Sequence, residues 1–460
     1  MVLEMSGKQG AKAQNGNNGK NGKEQTASTD KPKKKVALAY SGGLDTTVII
    51  KWLQTKVNAD VIAVCVDVGQ AEPLADHAAR AKAMGAEAIV IDAVDEFAED
   101  YILPALRANL LYEGAYPAGT ALARPLICEK MVEAAKAAGA TALAHGCTAK
   151  GNDQVRFESC FAALAPEMEV IAPMRIWNIS RQEEIKFAEA NGIALPKIGG
   201  GLTYSVDENL WGRSIEGGQM EDPWNEVPEE VYAWTSGTET SPSKPTVTTI
   251  GFEHGNPVSI DGEKMSPTDL IKKMNVLAGL HGVGRIDHIE DRVVGIKSRE
   301  VYEYPAAIAL MEAHKALEKL TLPKDVLDFK ILAEQQYAQL VYGGKWFSQL
   351  KTAIQAFIDE LQMPVSGMVK LKMFKGACSV SGMSSQCSMY DAGQATYGKD
   401  DAFDHSAADG FLKLYILPIK ASAKAGIGGV GSVKFHGWAT KKEYKKAAVQ
   451  AKASTGAGDD

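Results

Sequence analysis

Val36-Ala37-Leu38-Ala39-Tyr40-Ser41-Gly42-Gly43-Leu44-Asp45-Thr46-Thr47 decides how the rest of the chain is read. Residues 36–40 form a short apolar run of strand type, and an amphipathic helical pattern occupies 46–57. The residues between them are therefore a strand-to-helix turn. Gly42 and Gly43 carry no Cβ, so the backbone can turn tightly and press its N–H groups against an anion. Ser41, Thr46 and Thr47 add hydroxyl donors, and the helix that follows offers its positive N-terminus to phosphate. No Gly-Lys-Ser/Thr follows, which excludes the P-loop that holds a γ-phosphate for transfer. A plain glycine turn capping a helix would leave the three hydroxyls and Asp45 unexplained. The stretch predicts a loop that holds a nucleotide by its phosphates.

Outward from this turn, short apolar runs at 36–40, 61–66, 88–91, 142–145 and 170–172 alternate with helical patterns at 46–57, 74–84 and 125–138. Such alternation predicts βαβ units and a mostly parallel sheet covered on both faces. Ligands then gather at the carboxyl ends of the strands, where the glycine loops fall. Ser180-Arg181-Gln182-Glu183 reads as a capping box opening a further helix that stops at Asn191-Gly192.

Beyond Pro196 the character changes. A Gly-rich segment at 199–201 and a Pro/Ser/Thr-rich loop at 223–245 precede strand patterns at 246–252 and 257–260, with Asp261-Gly262 as a turn. Ser266-Pro267 suits the N-cap and first position of a helix running to about Leu280. Helical patterns fill much of 305–361, and Val369, Leu371 and Met373 alternate with Lys370 and Lys372 as a strand with one wet face. The fold class expected is α/β. A parallel-sheet nucleotide-binding domain spans 35–195, and an α+β domain spans 196–425. Residues 1–34 read as a disordered Asn/Gly/Lys-rich leader, and 426–460 as a Gly/Lys/Ala-rich tail of undefined order.

Composition narrows the function classes. With 460 residues, 45% hydrophobic and 23% charged, the chain is of ordinary globular type and long enough for two or three domains. No apolar run approaches the roughly 20 residues needed to span a membrane. Eight lysines against Glu4, Glu24 and Asp30 give residues 1–35 a charge of +5, so the rest, with 42 basic and 54 acidic residues, carries −12. A body this acidic argues against a nucleic-acid surface. The leader has neither an apolar stretch nor an arginine, so it matches no signal or transit peptide. Six cysteines without a CxxC pair, and eight histidines without ligand spacing, predict reduced thiols in a cytoplasmic protein with no metal site of its own. Any metal would arrive as magnesium with a nucleotide.

Ser41-Gly42-Gly43-Leu44-Asp45-Thr46 resembles the PP-loop of ATP pyrophosphatases, which release pyrophosphate and transfer AMP to an oxygen of the substrate. Four further segments join it. They run from Tyr116 through Thr120 to Arg124-Pro125, from His145-Gly146-Cys147-Thr148 through Gly151-Asn152-Asp153 to Arg156-Phe157, from Ser205 to Asn209-Leu210, and from His281 through Arg285, Asp287, Glu290, Arg292, Lys297 and Arg299 to Tyr302. In this order and spacing, over roughly residues 34 to 425, the five resemble argininosuccinate synthase. The resemblance implies a PP-loop domain followed by a synthetase domain. It also implies ligation of citrulline to aspartate, with ATP going to AMP and pyrophosphate through a citrullyl-adenylate, in a homotetramer serving arginine biosynthesis. Carried over residue by residue, it assigns Ala39, Tyr40, Ser41, Gly42, Gly43, Leu44, Asp45, Thr46, Thr47, Val66 and Gly146 to ATP, with Asp45 as organiser of magnesium or phosphate. It assigns Thr148, Asn152 and Asp153 to aspartate, and Tyr116, Asn152, Arg156, Ser205, Ser214, Glu290 and Tyr302 to citrulline.

That chemistry suits these residue types. A ureido carbonyl is a poor electrophile, and adenylation turns its oxygen into a leaving group that the aspartate amine displaces. Neither step needs a covalent side-chain nucleophile, so positioning and charge screening suffice, and no residue is assigned a catalytic role of its own. His145-Gly146 reads as a turn, His281-Gly282-Val283-Gly284 as a helix C-cap, and Cys147 as a space-filler. Ala121 departs from the family's frequent serine, which leaves two readings, substitution by the neighbouring Thr120 or one missing hydrogen bond, and Glu300 stands where glycine is frequent, which leaves the local turn before Tyr302 open. Two other readings remain open from sequence: a different PP-loop adenylating enzyme, of GMP synthetase or tRNA-modifying type, and a non-catalytic nucleotide sensor.

Overall fold

The computed structural model describes residues 33–177, 181–193 and 204–425. Strands β1 (Lys34–Ala39), β2 (Ala59–Asp67), β3 (Glu87–Asp92), β4 (Ala142–Ala144) and β5 (Glu169–Ile171) form one parallel sheet in the order β3-β2-β1-β4-β5. Alternate residues of β1 and β2 feed two cores. Ala37, Ile62 and Val64 join the large cluster on one face, and Val36, Leu38 and Ala63 join the smaller cluster on the other. Burial on both faces is why these strands read as continuous apolar runs. The chain moves from β1 outward to β2 and β3, then returns to the other side of β1 at β4. The turn after β1 therefore sits at the switch point of an open α/β sheet, where a crevice forms.

The second half is built from antiparallel sheets and helices, as expected. Strands β6 (Ser205–Glu208) and β7 (Arg213–Glu216) pair with β11 (Arg285–Asp291) and β12 (Lys297–Glu303) in the order β11-β12-β7-β6. Strands β8 (Thr246–Glu253), β9 (Asn256–Ile260), β10 (Glu263–Lys264), β13 (Gly367–Phe374) and β14 (Ala377–Ser384) make a second sheet, ordered β10-β9-β8-β13-β14. Asp261-Gly262 turns between β9 and β10 with φ of 52° and 84°. Ser266 caps the helix Pro267–Leu280 by accepting from the Asp269 N–H, and His281 is its C-cap residue. On β13, Val369, Leu371 and Met373 are fully buried while Lys370 and Lys372 face water. The large apolar cluster runs without a break from Ala37 and Phe97 in the first half to Leu310, Tyr337 and Met373 in the second.

One expectation is corrected. The helix expected from residue 125 spans Gly119–Ala137, with Pro125 inside it. Proline is most at home in a helix's first turn, but here residues 119–123 are all buried and their packing extends the helix past the proline. The compact unit that holds the second-half sheets runs to Ser388. Residues 389–425 belong to a separate unit, whose helices Ala392–Ala395, His405–Tyr415 and Leu417–Lys424 bury none of their residues. Ser180, the segment 199–201 and the tail 426–460 lie outside the described residues.

Candidate active site

A cavity of about 720 Å³ opens at the carboxyl ends of β1, β2 and β4 and is walled on its far side by β6, β7, β11 and β12. All the residues assigned to ATP, aspartate or citrulline line it except Gly42 and Thr47.

At the sheet end, Gly42 takes φ +76°, and the helix Leu44–Trp52 begins at Gly43 with no side-chain cap, so its first N–H groups remain for a ligand. A Cβ on Gly42 would lie 2.5 Å from the His77 ring, and Arg80 Nη1 donates to the Gly42 carbonyl. Ser41 Oγ and Thr46 Oγ1 lie 3.2 Å apart at the cavity wall. Thr47, expected among the hydroxyl donors to phosphate, instead donates to the Gly43 carbonyl at 2.6 Å and is fully buried. The Tyr40 hydroxyl lies 3.1 Å from that of Thr47. Val66 and Gly146 flank the loop, with Gly146 packed so tightly that a Cβ would meet Thr46 Cγ2 at 2.9 Å.

The other end is made of side chains from distant segments. Helix Asp153–Leu164 starts at the cavity, with Thr148 and Gly151 in the turn before it. Asp153 accepts from Arg124 Nε at 2.9 Å and from Arg156 Nη1 at 2.8 Å. Burial alone would raise its carboxyl, but the two guanidiniums hold it down to about 2. Arg124 also reaches Asp207 at 2.6 Å, tying β6 to the nucleotide half. Asn152 Oδ1 accepts from the Val293 N–H at 2.8 Å, which fixes the orientation of its amide. Tyr116 stacks on Tyr302 with ring centroids 4.2 Å apart, and Tyr302 donates to Glu290 Oε2 at 2.5 Å.

Ser214 lies 3.2 Å from both Thr120 Oγ1 and Tyr304 OH. Thr120 lines the cavity, while Ala121 is fully buried away from it, so the hydroxyl at this corner is that of Thr120. Ser205 opens β6 opposite Glu216. Glu300 sits in the regular strand β12 opposite His288, with no turn before Tyr302. Its side chain enters the cavity wall, bonded to Arg292 at 2.8 Å and Ser298 at 2.9 Å. Burial, reinforced by the charge of Glu216, pushes the Glu300 carboxyl up to about 7.

His145 is buried between Glu158 at 3.2 Å and the Cys147 N–H at 3.2 Å, and burial lowers its pKa, in keeping with a structural role. Burial raises the Cys147 thiol, which keeps it protonated and unreactive. Among the described residues, no three His, Cys, Asp or Glu side chains converge as metal ligands, and no helix is long and apolar enough to cross a membrane. Arg124 and Arg292 stand in the motif segments, but the sequence assigns neither of them a role. Tyr342 gave no sequence signal, since a tyrosine at a helix end is ordinary.

Residues 35–194 match the family model of the "Arginosuccinate synthase N-terminal HUP domain", and residues 204–422 match that of the "Arginosuccinate synthase C-terminal domain". The chain belongs to the argininosuccinate synthase family. It is similar to the argininosuccinate synthase of Oceanobacillus iheyensis, 53% identical over 404 residues, which cover 87% of this chain and 97% of that one. The argininosuccinate synthases of Bacillus licheniformis and Bacillus subtilis are 55% and 54% identical over 392 residues, each covering 85% of this chain and 97% of its own length.

Proposed function

We propose that this chain is an AMP-forming ligase that joins citrulline to aspartate at the expense of ATP, making argininosuccinate for arginine biosynthesis. The observation that carries the reading is a single cavity with a phosphate-type loop at one end and an assembly of carboxylates, arginines and tyrosines at the other. In this reading the turn from Ala39 to Thr47 holds the triphosphate, with Val66 and Gly146 beside the base. Magnesium would enter with ATP and screen phosphate charge, with Asp45 as the carboxylate of the loop nearest to it. Thr148, Asn152 and Asp153 hold aspartate. Tyr116, Asn152, Arg156, Ser205, Ser214, Glu290 and Tyr302 hold citrulline, with the buried Glu290 matched to its α-ammonium.

The ureido oxygen of citrulline attacks the α-phosphorus, and pyrophosphate leaves toward the glycine turn. The aspartate amine then attacks the ureido carbon, and AMP departs with the oxygen. Fixed geometry and a partly closed cavity supply the rate enhancement. We further propose that the enzyme is cytoplasmic and tetrameric. Exposed Phe329, Ile331 and Leu332 on the helix Lys324–Tyr342 support self-association.

Citrulline carrying heavy oxygen at the ureido position tests the order of chemistry. The label is expected in AMP, and with aspartate withheld a single turnover should still release pyrophosphate. Label retained in the amino-acid product, or ADP with phosphate as products, would overturn the mechanism. Turnover with xanthosine monophosphate or tRNA but not citrulline would favour another adenylating enzyme.

A further inference from the structure

Tyr342 ends the helix Lys324–Tyr342, where it is buried and lies outside the five motif segments. Its hydroxyl donates to Glu290 Oε1 and accepts from Asn152 Nδ2 at 2.8 Å. Its carbonyl accepts from Arg156 Nε at 3.0 Å, and the Arg156 guanidinium stands 4.8 Å above its ring. The opposite support is Tyr112, stacked at 3.5 Å and itself donating to the Asp291 carbonyl at 2.7 Å, beside Glu290. The following turn is equally constrained. Gly344 takes φ +72°, and a Cβ there would lie 2.7 Å from Arg156 Cα.

A phenol has one proton to give. Burial, with the charge of Glu290 beside it, raises the Tyr342 pKa, so the proton stays on the phenol and is directed to the carboxylate. Asn152 has two amide protons. With its oxygen committed to Val293 and one proton to Tyr342, the other is left for a ligand.

We propose that Tyr342 is a positioning residue that locks Glu290, Asn152 and Arg156 into one frame, so that the two amino-acid subsites are set by a single hydroxyl. The proposal rests on the assignment of Asn152 and Glu290 to the amino acids. Loss of the hydroxyl should loosen both subsites together and leave the phosphate loop untouched.

Tyr342→Phe keeps the ring, its stack on Tyr112 and the backbone carbonyl, and removes only the hydroxyl. Its KM for citrulline and its KM for aspartate should each rise about tenfold, the scale of one lost hydrogen bond to a charged group. KM for ATP should stay within about twofold of the parent, since no Tyr342 atom touches the loop. Glu290→Gln and Asn152→Ala serve as references. If both references weaken citrulline while Tyr342→Phe leaves the two amino-acid constants unchanged, the positioning role is overturned and the site assignment stands. If neither reference moves an amino-acid constant, the site assignment fails and takes this inference with it. A Tyr342→Phe protein without a cooperative thermal transition, or with all three constants raised alike, would make the hydroxyl a general structural element and overturn the proposal.

Discussion

The two ends of the cavity are built on opposite principles. The phosphate end comes from one unbroken stretch, 39–47, and its shape is a backbone shape fixed by Gly42 at φ +76° and by hydrogen bonds within a few residues. The amino-acid end comes from five separate segments, and its shape is set by side chains meeting across long distances: Arg124 with Asp207, Asn152 with Tyr342, Tyr302 with Tyr116. A locally built end tolerates remote change and fails at a single glycine. An assembled end depends on contacts between distant segments, and its sensitivity gathers at the few side chains, such as Tyr342, that join several of them.

Gly42→Ala is the most severe way to break this contrast. The new Cβ would sit 2.5 Å from a buried imidazole ring in a left-handed conformation that alanine resists. Displacing the turn by roughly an ångström should lower kcat/KM for ATP about 100-fold. Steady-state kinetics should show KM for both amino acids close to the parent's. Amino-acid constants that rose as much as that of ATP would mean the two ends are not independent.

Legibility from sequence follows the same divide. The turn, the parallel sheet and the Ser266 cap are dictated by residues adjacent in the chain, and the alternation of apolar runs carried the α/β reading. Strands β11 and β12 gave no strand signal because their faces carry charges that pair across the ladder, Arg299 with Asp287 and Lys297 with Asp291. The bond from Thr47 to the Gly43 carbonyl is not legible in the sequence, because a hydroxyl's direction depends on the turn's three-dimensional path. Tyr342 and the Arg124–Asp153 ion pair depend on contacts that no local pattern encodes, whereas Asp153 and Arg156 are neighbours at i, i+3 on one helix.

Glu300→Gln probes the assembled end through pH. The folded carboxyl is raised to about 7, above its ordinary value near 4.5, so the folded state prefers the protonated form. Its contribution to stability is full below about pH 4.5 and is lost as pH rises through about 7. Glutamine cannot ionise. Between pH 5 and pH 8, urea unfolding should show the stability difference moving in favour of the variant. A difference that is constant across this range would mean that Glu300 is ionised throughout.

Thr120→Val should give the smallest effect. Its hydroxyl lies 3.2 Å from Ser214 at the cavity wall, and removing it should raise KM for citrulline about threefold, the scale of one neutral hydrogen bond. KM for ATP should not move. An unchanged citrulline constant would show that this corner does not need a second hydroxyl beside Ser214.

The undivided apolar cluster has a consequence for how the protein is made. A growing chain releases its phosphate turn about 300 residues before Tyr342 leaves the ribosome. Until the helices of 305–342 arrive, Phe97, Leu106 and Leu122 have no cover from Leu310 and Tyr337, their partners in the cluster. The nascent chain can thus present a nucleotide turn early but has no finished acceptor pocket, so ATP meets a competent enzyme only after about three-quarters of the 460 residues have been synthesised.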